Sequence, residues 1–167
     1  MDKIKFKQAL DQILLPHDFV NTKNTWILKN SEINKLLFIG RSQYTNSYYI
    51  DYGFIINDLE LNGLRMHVSE RLGTADEYTE QLPMIRALSL DSPMSDEERA
   101  DKLKVIIENK VLSTFERITT KSDLKVYIYT FPNLNMISIA VKEHLELIDN
   151  GSSKNWLRKV LSLFKFH

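Results

Sequence analysis

The stretch that decides the fold is INKLLFIGRSQYTNSYYIDYGFIIN, residues 33 to 57. Its two ends are rich in branched and aromatic residues, which fit a pleated and half-buried strand. Between them lies SQYTNS, whose small polar side chains favour a tight turn. The stretch therefore predicts two antiparallel strands, Ile33 to Arg41 and Tyr48 to Asn57, joined by a hairpin loop.

Two further segments extend this hairpin into a sheet. Thr25 to Lys29 precedes the hairpin, and Leu64 to Leu72 follows it after a turn that ends in Asn62-Gly63. Short connections favour antiparallel neighbours. We therefore predict a four-stranded antiparallel meander.

Alternation along the strand that begins at Tyr48 assigns its side chains to two faces. One face holds only aromatic and apolar residues: Tyr48, Ile50, Tyr52, Phe54 and Ile56. Such residues are typical of a strand face that packs on a core. We predict that this face is core rather than a binding surface.

Helices are predicted both before and after the strands along the chain. Apolar residues recur at helical spacing from about residue 2 to residue 15, where Pro16 ends the helix. The hydroxyl and the carboxylate in Thr74-Ala-Asp-Glu77 and in Ser95-Asp-Glu-Glu98 are spaced as in capping boxes. The segment Asp123 to Phe131 fits neither a helix nor a strand clearly.

Two last helices are predicted, from about Asn135 to Ile148 and from 154 to 166. The second one carries four basic residues, no acidic residue and an apolar band. This pattern suits closure of the core, and it also suits docking on a membrane or on a partner protein. The chain is thus predicted to be one α+β domain, residues 1–167, with a leading helix, a four-stranded sheet and several packed helices.

The composition excludes several classes of function. Lys plus Arg and Asp plus Glu both number 22, so no overall basic field exists to attract nucleic acid or an anionic membrane. The absence of cysteine excludes thiolate nucleophiles, disulfides and cysteine-containing zinc sites. No apolar run is long enough to span a membrane, and the first residues do not resemble a secretory signal. We expect a cytoplasmic protein that binds no nucleic acid.

Familiar catalytic and cofactor motifs are also missing from the sequence. The five glycines form no Gly-rich phosphate-binding loop. There is no Gly-x-Ser-x-Gly nucleophile motif and no His-Glu-x-x-His zinc motif. We therefore expect no nucleotide cofactor and no metal ion.

A strip of polar residues follows from alternation along Leu64 to Leu72. If Leu64, Met66 and Val68 point inward, the opposite face carries Arg65, His67, Ser69 and Arg71. Arginine offers planar bidentate donors, and histidine exchanges a proton near neutral pH, so this polar strip suits a carboxylate-bearing or other anionic partner.

The same polar strip fits a simpler interpretation. A solvated sheet face also carries charged side chains, which pair with acidic residues on neighbouring strands. Secondary candidates for a binding site are Arg41, Tyr44 and Asp51, although the turn position of Tyr44 favours a structural role.

Two classes of function remain open from these residues. The preferred one is a non-enzymatic module that binds another protein, with neutralisation of a toxin by an immunity protein as a specific form. The alternative is a small hydrolase or transferase in which His67 is the general base, Asp51 orients it, and Arg65, Arg71 or Arg41 holds an anion. The alternative requires these groups to converge in one pocket.

Several features resemble an uncharacterised bacterial family. They are a basic amphipathic leading helix, Asn24-Thr-Trp26, the SQYTNSYYIDYGF hairpin, the MHVSERL strand and the SDEER helix start. Together they resemble the domain of unknown function 4304 family over about residues 2 to 130. The most specific piece is Ser42 to Ser47, and the remainder of the chain matches less closely. The resemblance implies a small soluble α+β protein without assigned activity or catalytic residues.

Overall fold

A five-stranded antiparallel sheet lies at the centre of the computed structural model, which describes residues 1–72, 82–131 and 134–147. The strands follow one another in the sheet in their sequence order. They are β1 (Val20–Thr22), β2 (Thr25–Leu28), β3 (Ile33–Arg41), β4 (Tyr48–Ile56) and β5 (Val68–Arg71). The predicted antiparallel meander is confirmed, but the predicted number of four strands is wrong.

The strand that the prediction missed is β1. It has only three residues, Val-Asn-Thr, so its sequence is too short to show alternation. It pairs with β2 through Thr22 and Thr25, and Lys23 in the connecting turn has a positive φ of 60°. The sheet therefore begins one short strand earlier than the pattern indicates.

The β3–β4 hairpin has the predicted bounds to within one residue. The register pairs Ile33 with Ile56 and Arg41 with Tyr48 over the full length of both strands. In the loop, the Ser42 side chain accepts hydrogen bonds from the backbone N–H groups of Tyr44 and Thr45. These bonds are what small polar residues contribute to a turn.

Six α-helices accompany the sheet in the described part of the chain. They are α1 (Lys3–Leu14), α2 (Leu82–Leu88), α3 (Asp96–Ile106), α4 (Ser113–Arg117), α5 (Lys121–Ile128) and α6 (Ile139–His144). A π-helical segment, Ile107–Leu112, joins α3 to α4, and short 3₁₀ turns occupy Leu15–His17 and Leu134–Met136. Within the described ranges, every helix falls short of the length and apolar character that a membrane crossing requires.

Capping explains where several of these helices begin. The Ser95 side chain accepts a hydrogen bond from the Glu98 N–H at 3.0 Å, as its spacing predicts. Thr120 and Asp123 form a complete capping box, so the segment left open by the sequence begins as helix α5. The predicted capping box at Thr74-Glu77 and the predicted helix at 154 to 166 lie outside the described residues.

The helix predicted over residues 135 to 148 is shorter in the structure. Ser138 caps a new helix, α6, with its side chain on the Val141 N–H, and the preceding Leu134–Met136 is a separate 3₁₀ turn. Glu146 then adopts a positive φ of 51°, which ends the helical path. The apolar spacing alone did not show this interruption.

The core lies between the helices and one face of the sheet, here called the inner face. The predicted core residues of β4 are at most 3% exposed: Tyr48, Ile50, Tyr52, Phe54 and Ile56. Phe115 of α4 packs edge-on against Phe54, and Phe6 of α1 lies 4.6 Å from Tyr48 between ring centroids. The prediction that this face is core is confirmed.

Candidate functional site

The opposite side of the sheet, here called the outer face, carries most of the polar strip. The register places Asp51 beside Arg71, and Gly53 beside Ser69, across the β4–β5 pair. Ser69 and Arg71 are exposed, whereas Glu70 between them points to the inner face and is half-buried. The predicted alternation is therefore correct over β5 itself.

Arg71 forms a bidentate pair with Asp51. Its Nε donates to Asp51 Oδ1 at 2.7 Å, and its Nη2 donates to Oδ2 at 3.2 Å. The hydrogen bond to Asp51 raises the pKa of Arg71 above its usual value. Cross-strand pairs of opposite charge stabilise a sheet modestly, and two parallel bonds also fix the orientation of the guanidinium.

The guanidinium of Arg65 lies over an aromatic ring of the outer face. Its guanidinium carbon is 3.4 Å from the centre of the Phe38 ring, and its Nη1 is 3.8 Å from Asp51 Oδ2. The side chain is 48% exposed. Its guanidinium makes no hydrogen bond to any residue that the structure describes. Stacking on the ring therefore orients donors that remain open to solvent.

Tyr49 supports the second arginine in a similar way. The Tyr49 ring lies over Gly40, its partner across the β3–β4 pair, and a Cβ on Gly40 would be only 2.1 Å from Tyr49 Cζ. Arg71 lies on this ring with its guanidinium carbon 4.3 Å from the ring centre. The absence of a side chain at Gly40 thus makes room for the stacked ring. We call the group Phe38, Tyr49, Asp51, Arg65 and Arg71 the arginine–aromatic cluster.

The cluster has a net positive charge. Two guanidiniums and one carboxylate give one excess positive charge, in a chain whose formal net charge is zero. Asp51 is 13% exposed on its side chain, while both arginines are 48% exposed. Within the described residues, the cluster therefore presents cationic and aromatic groups to solvent, with the carboxylate largely covered.

His67 does not belong to this face, contrary to the predicted alternation. It is 6% exposed, Nδ1 accepts a hydrogen bond from the Ile56 N–H at 2.9 Å, and Nε2 lies 3.1 Å from the Glu60 carbonyl oxygen. Because a backbone N–H only donates, Nδ1 is the acceptor and Nε2 carries the proton that Glu60 accepts. Both ring nitrogens bind backbone groups.

The physical reason lies in the start of the strand. β5 begins at Val68, and residues 61 to 67 form an irregular segment in which strand alternation does not apply. Leu64, predicted to point inward, is 48% exposed. Arg65 reaches the outer face from this segment rather than from a strand.

The groups required for acid–base catalysis do not converge. His67 has no ring nitrogen available for proton transfer, since both are occupied by backbone hydrogen bonds. Asp51 binds Arg71 instead of orienting the imidazole. Arg41 donates to Asn46 in the hairpin loop at 2.9 Å, and Tyr44 is 94% exposed in the same loop. Of the secondary candidates, only Asp51 joins the cluster.

Sequence reasoning missed the two aromatic residues of the cluster, Phe38 and Tyr49. Each was placed on a predicted strand, but neither was connected with an arginine on another element. The signal available was Gly40, because a glycine within a strand indicates a close approach by another group. The correct pairing of Gly40 with Tyr49 requires the register, which the hairpin loop sets.

Comparisons with known proteins identify no relative that shares this geometry. The resemblance to the domain of unknown function 4304 family stays a prediction. No protein-family model, no curated protein and no solved structure matches the chain.

Proposed function

We propose that this chain is a non-enzymatic protein-binding module, and that the arginine–aromatic cluster binds a carboxylate side chain of the partner protein. The observation that carries the proposal is Arg65. Its guanidinium is held on Phe38, is half-exposed, and has no hydrogen-bond acceptor among the described residues. A carboxylate is the group that matches such a planar set of donors.

The composition of the cluster supports a protein partner. Arginine and aromatic residues are enriched at protein interfaces and dominate the residues that contribute most to affinity. Stacking on Phe38 and Tyr49 restricts both guanidiniums before binding. A restricted side chain loses less conformational entropy on binding than a free one, so less of the interaction energy is offset.

The local charge supports an acidic partner. The excess positive charge of the cluster stands out against a neutral chain, so it provides local steering and specificity rather than a general attraction to polyanions. Arg71 already pairs with Asp51, and Arg65 is the cation with which a partner carboxylate would form hydrogen bonds.

The test is quantitative binding with a matched control. The tagged chain captures partners from lysate of its source cells as wild type, Arg65→Glu and Arg86→Glu. Arg86 is an exposed arginine on α2 that is not a member of the cluster, and its reversal changes the net charge equally. We expect a stoichiometric protein retained by wild type and by Arg86→Glu. Reversal of Arg65 should weaken its binding by at least about tenfold.

Charge exchange then tests the direct contact. Acidic residues of the purified partner are changed one at a time to lysine, and one of these variants should bind Arg65→Glu better than wild type. Equal loss of binding in both charge-reversal variants would show that only net charge matters. The proposal would then be wrong for this surface.

Neutralisation of a toxin is the narrower form of this proposal. It requires that the captured partner stops cell growth when it is expressed alone. Co-expression of wild type should then restore growth, and co-expression of Arg65→Glu should not. A partner without toxicity removes the narrower form and leaves the protein-binding proposal in place.

A further inference from the structure

A second candidate site lies on the inner side of the sheet, away from the outer face. It is a cleft of about 340 Å³ between the paired strands β4 and β5 and the helices that follow the π-helical segment. The residues that matter for its chemistry are Tyr52, Glu70, Lys110, Arg117, Tyr127 and Phe131. Clefts of a few hundred Å³ with a few polar groups are typical of sites for small molecules.

The π-helical segment, Ile107–Leu112, forms one wall of this cleft and supplies Lys110. Two hydroxyls stabilise its carbonyl groups. Ser113 Oγ donates to the Asn109 carbonyl at 2.6 Å, and Thr114 Oγ1 donates to the Lys110 carbonyl at 2.7 Å. π-helical turns are rare, and they occur frequently at functional sites.

Two cations, Lys110 and Arg117, line the cleft. Among the described residues, no carboxylate lies within salt-bridge distance of Lys110 or Arg117. Arg117 uses its Nε on the Ser113 carbonyl, which holds the guanidinium beside the cleft. Each positive charge acts on a titratable group of the cleft. The charge of Lys110 acts to lower the pKa of Glu70, and the charge of Arg117 acts to lower the pKa of Tyr52. A negatively charged ligand would satisfy both.

Glu70 is the acidic residue of the cleft, and it opposes an anion while it is ionised. Burial raises the pKa of Glu70, while the charge of Lys110 and a hydrogen bond from Tyr52 act in the other direction. Around it stand Tyr52 on β4, Lys110 in the π-helical segment, Arg117 on α4 and Tyr127 on α5. Its carboxyl group is thus near enough to Lys110 to feel its charge, although the two form no salt bridge among the described residues.

The aromatic wall defines the body of the ligand. Tyr127 and Phe131 pack edge-on with ring centroids 5.2 Å apart, and both line the cleft. Aromatic side chains bind flat apolar groups, and bidentate arginine binds a carboxylate. We propose that this cleft binds a small organic carboxylate, with Lys110 and Arg117 on its charge and Tyr127 and Phe131 on its apolar body.

Benzoate is the probe, and its neutral analogue benzamide is the control ligand. Titration of the full chain is followed by the chemical shifts of its backbone amides. We expect benzoate to bind in the millimolar range and to shift signals of residues 109 to 117. Benzamide should bind about tenfold more weakly, because it lacks the charge. Inorganic phosphate should also bind more weakly, because it lacks the apolar body.

Three variants test the assignment with opposite signs. Lys110→Met and Arg117→Gln should each weaken benzoate binding about tenfold, whereas Glu70→Gln should strengthen it about threefold. Arg86→Glu, at an exposed arginine on α2, should leave the benzoate shifts of residues 109 to 117 unchanged. These signals report on the cleft and not on the arginine–aromatic cluster, so failure here is separable from failure of the proposed protein binding. Thermal unfolding confirms that each variant is folded.

Three results would overturn this inference. The first is no binding of benzoate to the wild-type chain at millimolar concentration. The second is equal binding of benzoate and phosphate, which would show that the rings take no part. The third is weaker binding in Glu70→Gln, which would assign the cleft to a cationic ligand instead.

Discussion

The backbone N–H of Ile56 donates to Nδ1 of His67 at 2.9 Å, and this bond ties the end of β4 to the segment that leads into β5. The imidazole also donates to the Glu60 carbonyl, so it crosses the connection between the two strands. His67 is therefore a structural residue that positions Arg65, two residues earlier, at the outer face.

Replacement of His67 tests this structural role. His67→Leu leaves the buried Ile56 N–H without an acceptor, so we expect a loss of about 1 to 3 kcal/mol in the free energy of unfolding. His67→Asn places a carbonyl oxygen near Nδ1 and should lose less. Urea denaturation measures both variants. Equal stability of His67→Leu and wild type would contradict the role.

Arg99 is expected to be a main stabilising residue of the helical layer. It is 1% exposed, and its Nη1 donates to the carbonyl groups at the end of α2, including Ala87 at 2.7 Å. Arg99→Met should leave these carbonyls unsatisfied and lower the free energy of unfolding by about 3 kcal/mol. The control is the exposed Arg86→Met, which should change it by less than about 0.5 kcal/mol. Similar losses in both variants would refute this assignment.

A side chain at Gly40 is expected to displace the Tyr49 ring. In Gly40→Ala, the new Cβ would occupy the position of the Tyr49 ring and displace it from Arg71. We expect a loss of about 1 to 3 kcal/mol in stability. In a Tyr49→Ala background the same change should lose at least about 1 kcal/mol less, and a double-mutant cycle measures this coupling. Additive losses would show that the ring and Gly40 do not compete for space.

Asp96 should make stability depend on pH in the acid range. Hydrogen bonds from Lys5 and from the amino group of Met1 lower the pKa of Asp96 to about 2. A carboxyl group whose pKa is lowered in the folded state stabilises the fold at pH values above 3.8, its ordinary pKa. That contribution is lost as the pH falls toward 2.

The variant Asp96→Asn isolates this contribution. Its free energy of unfolding should lie below that of wild type at pH 6, and the difference should shrink between pH 4 and pH 2. Glu97→Gln, the neighbouring carboxyl on α3, is the control and should show a smaller change over that range. A difference that stays constant with pH would contradict the role of Asp96.

The sequence was sufficient for the parts of the fold that local rules determine. Alternation from Tyr48 to Ile56 located the core face of β4, and the spacing of Ser95 and Glu98 located the start of α3. Both signals arise from neighbouring residues in one element. The three-residue β1 was missed because such a short strand depends on its partner for stability rather than on its own pattern.

The candidate site was predicted only in part, because it depends on contacts between elements. Alternation placed Ser69 and Arg71 correctly, since β5 is a regular strand there. It failed for His67, because the side chain bonds to the Ile56 backbone, eleven positions earlier in the chain. The stacking of Arg65 on Phe38 depends on the path of an irregular segment, which periodicity does not describe.

The lengths of the strands decide how another molecule can approach the sheet. In the sheet of the described residues, β3 and β4 have nine residues each, whereas the edge strands β1 and β5 have three and four. An edge strand is where a foreign strand adds by backbone pairing, and a short edge offers few groups for such addition. Growth of the sheet into a larger aggregate is disfavoured at both edges. Other molecules therefore make contact mainly with side chains. Natural selection can change a side chain one residue at a time, whereas the backbone is the same at every position.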